Sequence, residues 1–166
     1  LPSPPLLIPH HPVSLSPVPA PLPPSQAIRT ADLYALPETL AKAKADAIVP
    51  KLTEPALLVT SDTVIVFTGK EAGSTPEIRE KPETFDVAVD FLRGYSDHTL
   101  DCVSGLCVTN TATGKRVSST STVVVDLLPF PGSFYAAVRE TPAFLKAAGG
   151  LVVEHPVFCL QDLSAP

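Results

Sequence analysis

Apolar residues crowd both ends of the segment ALLVTSDTVIVF, Ala56 to Phe67, and four polar residues, Thr60-Ser61-Asp62-Thr63, stand in its middle. The flanks read as a buried β-strand. An ionised carboxylate without a partner is costly to bury, so Asp62 must be paired, hydrated or bound to a cation. Alternatively the strand ends at Val59, and residues 60–63 form a polar turn.

The rest of the pattern alternates helical and extended periods. Pro37-Glu38 opens a helix running to about Val49, with Leu40, Ala43, Ala47 and Ile48 on one face. Residues Gly69 to Pro76 read as a polar loop. In EKPETFDVAVDFLRG, Phe85, Ala88, Val89 and Leu92 keep helical spacing, and Gly94 suits the position just past the helix end. His98–Asn110 and Val117–Leu128 flank a turn containing Gly114, which predicts an antiparallel hairpin. A helix from about Ser133 to Glu140 and a short strand Leu151–Val153 follow. Helix, strand, helix, two strands, helix, strand is the order of a mixed α/β domain.

Composition separates the first 25 residues from this pattern. Ten of the chain's 20 prolines lie there, without one Asp, Glu, Lys or Arg. That density predicts a disordered or polyproline-like tail, 1–25, ahead of a domain over 26–166. The chain has 166 residues, enough for one core. A net charge of -5 argues against a nucleic-acid partner. No apolar run approaches the roughly 18 residues that span a bilayer, and no basic segment opens a signal peptide. The absence of Met points to a processed chain or a fragment. Cys102, Cys107 and Cys159 lack metal-site spacing and read as reduced apolar fillers of a cytoplasmic protein.

Two further blocks carry chemistry. In Glu80-Lys81-Pro82, a lysine just before a helix is placed to meet phosphate beside the helix N–H groups, or else is a solvated charge at a helix cap. In AGGLVVEH, two glycines precede Glu154 and His155, a pair able to bind metal or to exchange protons, or a hydrated strand end.

Together SDTVIV, EKP, GYSDHT, a T-x-V block and AGGLVVEHP, in this order, resemble the Maf family of septum-formation-like nucleotide pyrophosphatases. The upstream AIR…LAKAKADAI resembles that family's first long helix. The resemblance spans roughly residues 27–158. It implies an elongated α/β fold with a mixed sheet, flanking helices and a central cleft. It also implies hydrolysis of nucleoside triphosphates between the α and β phosphates, with a divalent cation, Mg²⁺ or Mn²⁺. On the same basis Asp62 activates water, Thr63 and Glu154 help select the base, and Lys81 contacts phosphate. The metal ligands stay open, Asp62 being one candidate, and so does a homodimer. Asp62-Thr63 resembles the dTTP/UTP branch, whereas Glu154 is closer to the 7-methyl-GTP branch.

The chain departs from the family pattern at both ends. Ser14-Leu15-Ser16-Pro17 copies half of the family's Ser-x-Ser-Pro-Arg-Arg loop, with Val18 and Pro19 where the arginines belong. Ser25 replaces a family Glu, and QDLSAP stands in place of the usual closing segment. The competing expectation is therefore a catalytically impaired Maf-like fragment that serves as a binding module.

Overall fold

A computed structural model of the chain describes residue 28 and residues 30–154. Among them, a four-stranded sheet carries helices on both faces. The elements are α1 (Leu36–Ile48), β1 (Leu57–Thr68), β2 (Pro76–Arg79), α2 (Phe85–Tyr95), β3 (His98–Asn110), β4 (Arg116–Leu127) and α3 (Gly132–Arg139). The sheet order is β2-β1-β3-β4, and every pairing is antiparallel, where the resemblance implies a mixed sheet.

The polar quartet does not break β1. Pairing with β3 continues through Thr60↔Cys107, Ser61↔Leu106, Asp62↔Gly105 and Thr63↔Ser104. The turn reading of residues 60–63 is thus corrected: ladder hydrogen bonds to a full-length neighbouring strand outweigh the local turn preference of four polar side chains.

Successive strand residues point to opposite faces. Val64 and Val66 meet Leu36 and Leu40 of α1 on one face, together with Val103. Ile65 and Phe67 join the larger core on the other face, with Ala88, Val89 and Leu92 of α2, Phe134 and Val138 of α3, and Phe144. The buried face of α1 is Leu36, Leu40, Ala41, Ala45 and Ile48, so Ala43 and Ala47 lie beside the stripe rather than in it.

Three further expectations change. A short strand, β2, forms just after the expected loop, because Ile78 can add to the apolar face opposite Val66. Gly94 lies inside α2; a Cβ there would come within 2.9 Å of the Arg79 guanidinium, so this glycine makes room for packing rather than ending the helix. Asp97, with φ 56°, takes the left-handed turn instead. Leu151–Val153 is not a strand: a turn of 3₁₀ helix at Ala148–Gly150 leads into irregular backbone, since Leu151 and Val152 pack on the core without a strand to pair with. The tail 1–25 lies outside the described residues.

Arg79 locks α2 to the sheet. Its guanidinium lies 4.1 Å from the Phe67 ring centre and 4.8 Å from that of Phe91, and donates to the Phe91 carbonyl at 3.0 Å. Such stacking stabilises by about 0.5–2 kcal/mol.

On the other face Glu38 ties α1 to β4. Its carboxylate accepts from Ser118 Oγ at 2.7 Å and Thr120 Oγ1 at 3.0 Å, and pairs with Lys42 at 2.6 Å. Lys42 and then these two hydroxyls lower its pKa to about 2. A carboxyl depressed by folding stabilises the fold above its unfolded pKa, and that contribution is lost as pH falls from about 4.5 towards 2. Acid unfolding followed by circular dichroism is therefore expected to shift in Glu38→Gln: the difference from the native chain present at pH 6 should shrink steadily below pH 4.5.

Candidate functional site

Asp62 stands on the α1 face of β1, partly buried, opposite Gly105. Lys44, from the second half of α1, binds its Oδ1 and also donates to the Ser61 carbonyl at 2.8 Å. One lysine thus fixes the carboxylate and the backbone beside it. The fit of α1 over this point depends on Gly105, where a Cβ would stand 2.1 Å from the Glu38 nitrogen and 2.2 Å from the Pro37 carbonyl carbon. Thr60, one step along the same face, donates to the Ala41 carbonyl at 2.7 Å. Two of the four polar residues therefore serve α1, and their burial is satisfied.

The edge of β1 beside Asp62 is open among the described residues. β2 pairs with β1 only from Ile65↔Arg79 to Thr68↔Pro76. Because the two strands are antiparallel, β2 runs back along β1 towards the level of Asp62, and Glu80-Lys81 leave the sheet there. Lys81 is exposed, and no ion pair engages it among the described residues. It lies on the rim of a cleft of about 560 Å³ with an apolar wall of Leu33, Leu36, Ile78, Val87 and Phe91 and a polar rim that includes Thr30, Glu80 and Glu83. Asp62 does not line this cleft.

The glycine block docks onto the same end of the sheet. Gly149 N donates to the Glu80 carbonyl at 2.8 Å, and buried Tyr95 donates its hydroxyl to the Gly149 carbonyl at 3.1 Å. Burial raises the pKa of the Tyr95 hydroxyl, which keeps it a donor. Gly149 has φ 60°, and a Cβ there would lie 2.5 Å from Ile65. The two blocks that precede Lys81 and Glu154 in the sequence are thereby joined.

The remaining predicted residues separate. Thr63 points to the face opposite Asp62 and shares a 2.9 Å hydrogen bond with Ser104 Oγ. Glu154 is exposed in a turn, and His155 lies outside the described residues. Cys107 is buried, and Cys102 is half-buried with its thiol pKa raised by burial, as expected of unreactive fillers; Cys159 lies outside the described residues.

Sequence reading missed Lys44 and Glu38. Both were assigned only as part of a helix, although Lys44 and Ala41 sit three apart and so flank one helical surface. Nothing in the chain order marks Lys44 as a partner of a strand residue 18 positions on.

The model of the family described as "Maf-like protein" matches residues 14–162. The chain belongs to this family. Its match begins at Ser14, so it takes in the Ser-Leu-Ser-Pro block as well as the five internal ones. Among relatives, the 7-methyl-GTP pyrophosphatase of Dictyostelium discoideum is 31% identical over 144 residues, 82% of this chain and 70% of the relative. The dTTP/UTP pyrophosphatase of Bacteroides thetaiotaomicron is 33% identical over 93 residues, 56% of this chain and 45% of the relative. The nucleoside triphosphate pyrophosphatase of Chlamydia muridarum is 27% identical over 131 residues, 79% of this chain and 59% of the relative. These relatives are hydrolases of acid anhydrides, and the match covers less than two-thirds of the length of two of them. No described helix of this Maf-like chain is long and apolar enough to cross a membrane.

Proposed function

We propose that this Maf-like chain is a nucleoside triphosphate pyrophosphatase. It hydrolyses (d)NTP to (d)NMP and pyrophosphate in the cytoplasm, with dTTP and UTP as preferred substrates. The observation that carries this reading is a carboxylate, Asp62, oriented by Lys44 beside the stretch of β1 that β2 does not pair with, in a chain whose relatives are named for this reaction.

In this reading Asp62 takes a proton from water, and the water oxygen attacks the α-phosphorus. The bond from that phosphorus to the oxygen bridging the β-phosphate breaks, and pyrophosphate leaves with the electron pair. Lys44 keeps the carboxylate aimed, and Lys81 meets the phosphates where β2 leaves the sheet. Aligned water and fixed cations supply most of what such a reaction needs from a protein.

Among the described residues no group of three or more His, Cys, Asp or Glu is clustered as a cation cage. One carboxylate beside a triphosphate does suit Mg²⁺, which keeps several waters and is held by one or two carboxylates plus substrate phosphates. Asp62 would be the protein ligand, and the cation would neutralise charge on the leaving pyrophosphate.

The base preference rests on Asp62-Thr63. Glu154 and the Dictyostelium relative favour 7-methyl-GTP as a second reading. Pyrophosphate release from dTTP, UTP, CTP and 7-methyl-GTP, each with Mg²⁺ or Mn²⁺, separates them. Higher kcat/KM for dTTP and UTP than for the other two is expected; a preference for 7-methyl-GTP reverses the base assignment. No release from a folded chain would favour a binding module, the reading motivated by Val18 and Pro19 in place of two arginines.

A further inference from the structure

We infer that residues 157–160 of this chain, Val-Phe-Cys-Leu, lie as a strap across the half of the sheet face opposite α1 that no described element covers.

That face has two halves. Ile65 and Phe67 are buried in the larger core, with α2 and α3 over them. Towards the start of β1 the same face carries Leu57, 70% exposed, and Val59, 58% exposed. Direct cross-strand partners share a face, so Val59, Val108 and Val117 form one row, and Ser61, Leu106 and Ser119 the next. Val117 is 74% exposed, and Leu106, on a central strand, is 42% exposed. Leu57, Val59, Leu106, Val108 and Val117 therefore make one apolar patch over three adjacent strands. A sheet face left to water normally carries polar residues, and a contiguous apolar patch marks a contact surface.

The place where the described chain ends selects the occupant. Gly149 rests against Ile65, and Leu151 and Val152 pack into the core on this same face. From Ile65 the face continues through Thr63 and Ser61 to Val59, roughly 20 Å away at about 3.3 Å per residue. The six residues from His155 to Leu160 span up to about 20 Å when extended, so they reach the patch. Their chemistry matches it. Between Glu154 and Asp162 the chain carries no Asp, Glu, Lys or Arg, and residues 157–160 are four consecutive apolar side chains. Thr63 and Ser104 lie under the path and hydrogen-bond each other at 2.9 Å, so covering them leaves neither hydroxyl without a partner. Asp162 then falls beside Lys115 and Arg116, the cations next to Val117 at that end of the sheet.

The full chain carries its own probe, Cys159. With Cys102→Ala removing the half-buried thiol on this face, Val59→Cys should be joined to Cys159 within one chain by a short bismaleimide, as read by peptide mass mapping. Val124→Cys, 62% exposed but on the α1 face, is the control and should give no such link. Phe158→Ser and Leu106→Ser should each lower the urea midpoint of the native chain. The double variant should lower it by less than the sum, because both changes remove one contact. A folded Val59→Cys chain with no intrachain link overturns the inference. So does a link that joins two chains, which would assign the patch to a second copy, or equal linking of the Val59→Cys and Val124→Cys variants. An unchanged midpoint in Phe158→Ser, or strictly additive shifts, overturns it as well. None of these readouts depends on turnover, so their failure leaves the proposed reaction untouched.

Discussion

Replacing Asp62 by Asn is expected to reduce the rate of pyrophosphate release by about 10²–10⁴-fold, the usual contribution of a positioned general base. The substitution keeps shape and strand pairing, so the fold should be retained. It removes the charge that Lys44 holds, and an amide cannot accept a proton from water. In the proposed mechanism Asp62 is both the base and the protein ligand of the substrate's cation, so kcat should fall and KM should rise with it. Lys44→Met supplies the companion result. Lys44 acts through Asp62 and the Ser61 carbonyl, so its loss should lower kcat by a smaller factor, with the carboxylate still present but no longer aimed. The steady-state rates of both variants, measured beside circular dichroism spectra, check this pair. Native-like turnover by Asp62→Asn would remove Asp62 from the mechanism and leave the family membership untouched.

Gly105→Ala should be the most damaging single change to the fold, at about 3 kcal/mol, the upper part of the range for overpacking. The new methyl group would stand 2.1 Å from the Glu38 nitrogen and 2.2 Å from the Pro37 carbonyl carbon. These are backbone atoms of the first turn of α1, and no side-chain rotation can move them. The helix must lift or slide. For a chain of this length the cost corresponds to a fall in Tm of roughly 6–12 °C. Activity should fall further than stability alone explains, because Lys44 rides on the same helix and Asp62 is the direct cross-strand partner of Gly105. Thermal unfolding and kcat measured on the same preparation test both parts. Gly114→Ala is the control: it has positive φ but nothing within 4 Å of the new Cβ, so it carries only backbone strain and should leave kcat unchanged.

Much of the local structure was legible along the chain. The hairpin of β3 and β4 and the apolar stripe of α2 follow from period-two and period-3.6 patterning, which records which side of an element faces the core. The hydroxyl of Thr84 caps α2 by accepting from Val87 N at 3.2 Å, a local event of the kind sequence carries well. β2 was not legible, because four residues hold too few positions to show a period; it exists because Ile78 and Arg79 find Val66 and Phe67. Gly94 was assigned to the wrong task for a similar reason. A glycine near a helix end has the same local signature whether it turns the chain or admits an arginine from another strand.

The candidate site divides along the same line. The sequence by itself determined that a carboxylate stands in the middle of an apolar segment, that a lysine precedes a helix, and that these blocks occur in the order of the Maf-like family. Those are properties of residue type and spacing, and they are fixed before the chain folds. Only the tertiary structure decided that residues 60–63 stay in the ladder, that Lys44 meets Asp62, and that Thr63 faces away from it. The same holds for the bond from Gly149 to Glu80 that joins two blocks nearly 70 residues apart and for the seating of α1 on Gly105. Each depends on where one element comes to rest on another, and that is set by the summed packing of both sheet faces rather than by any local preference.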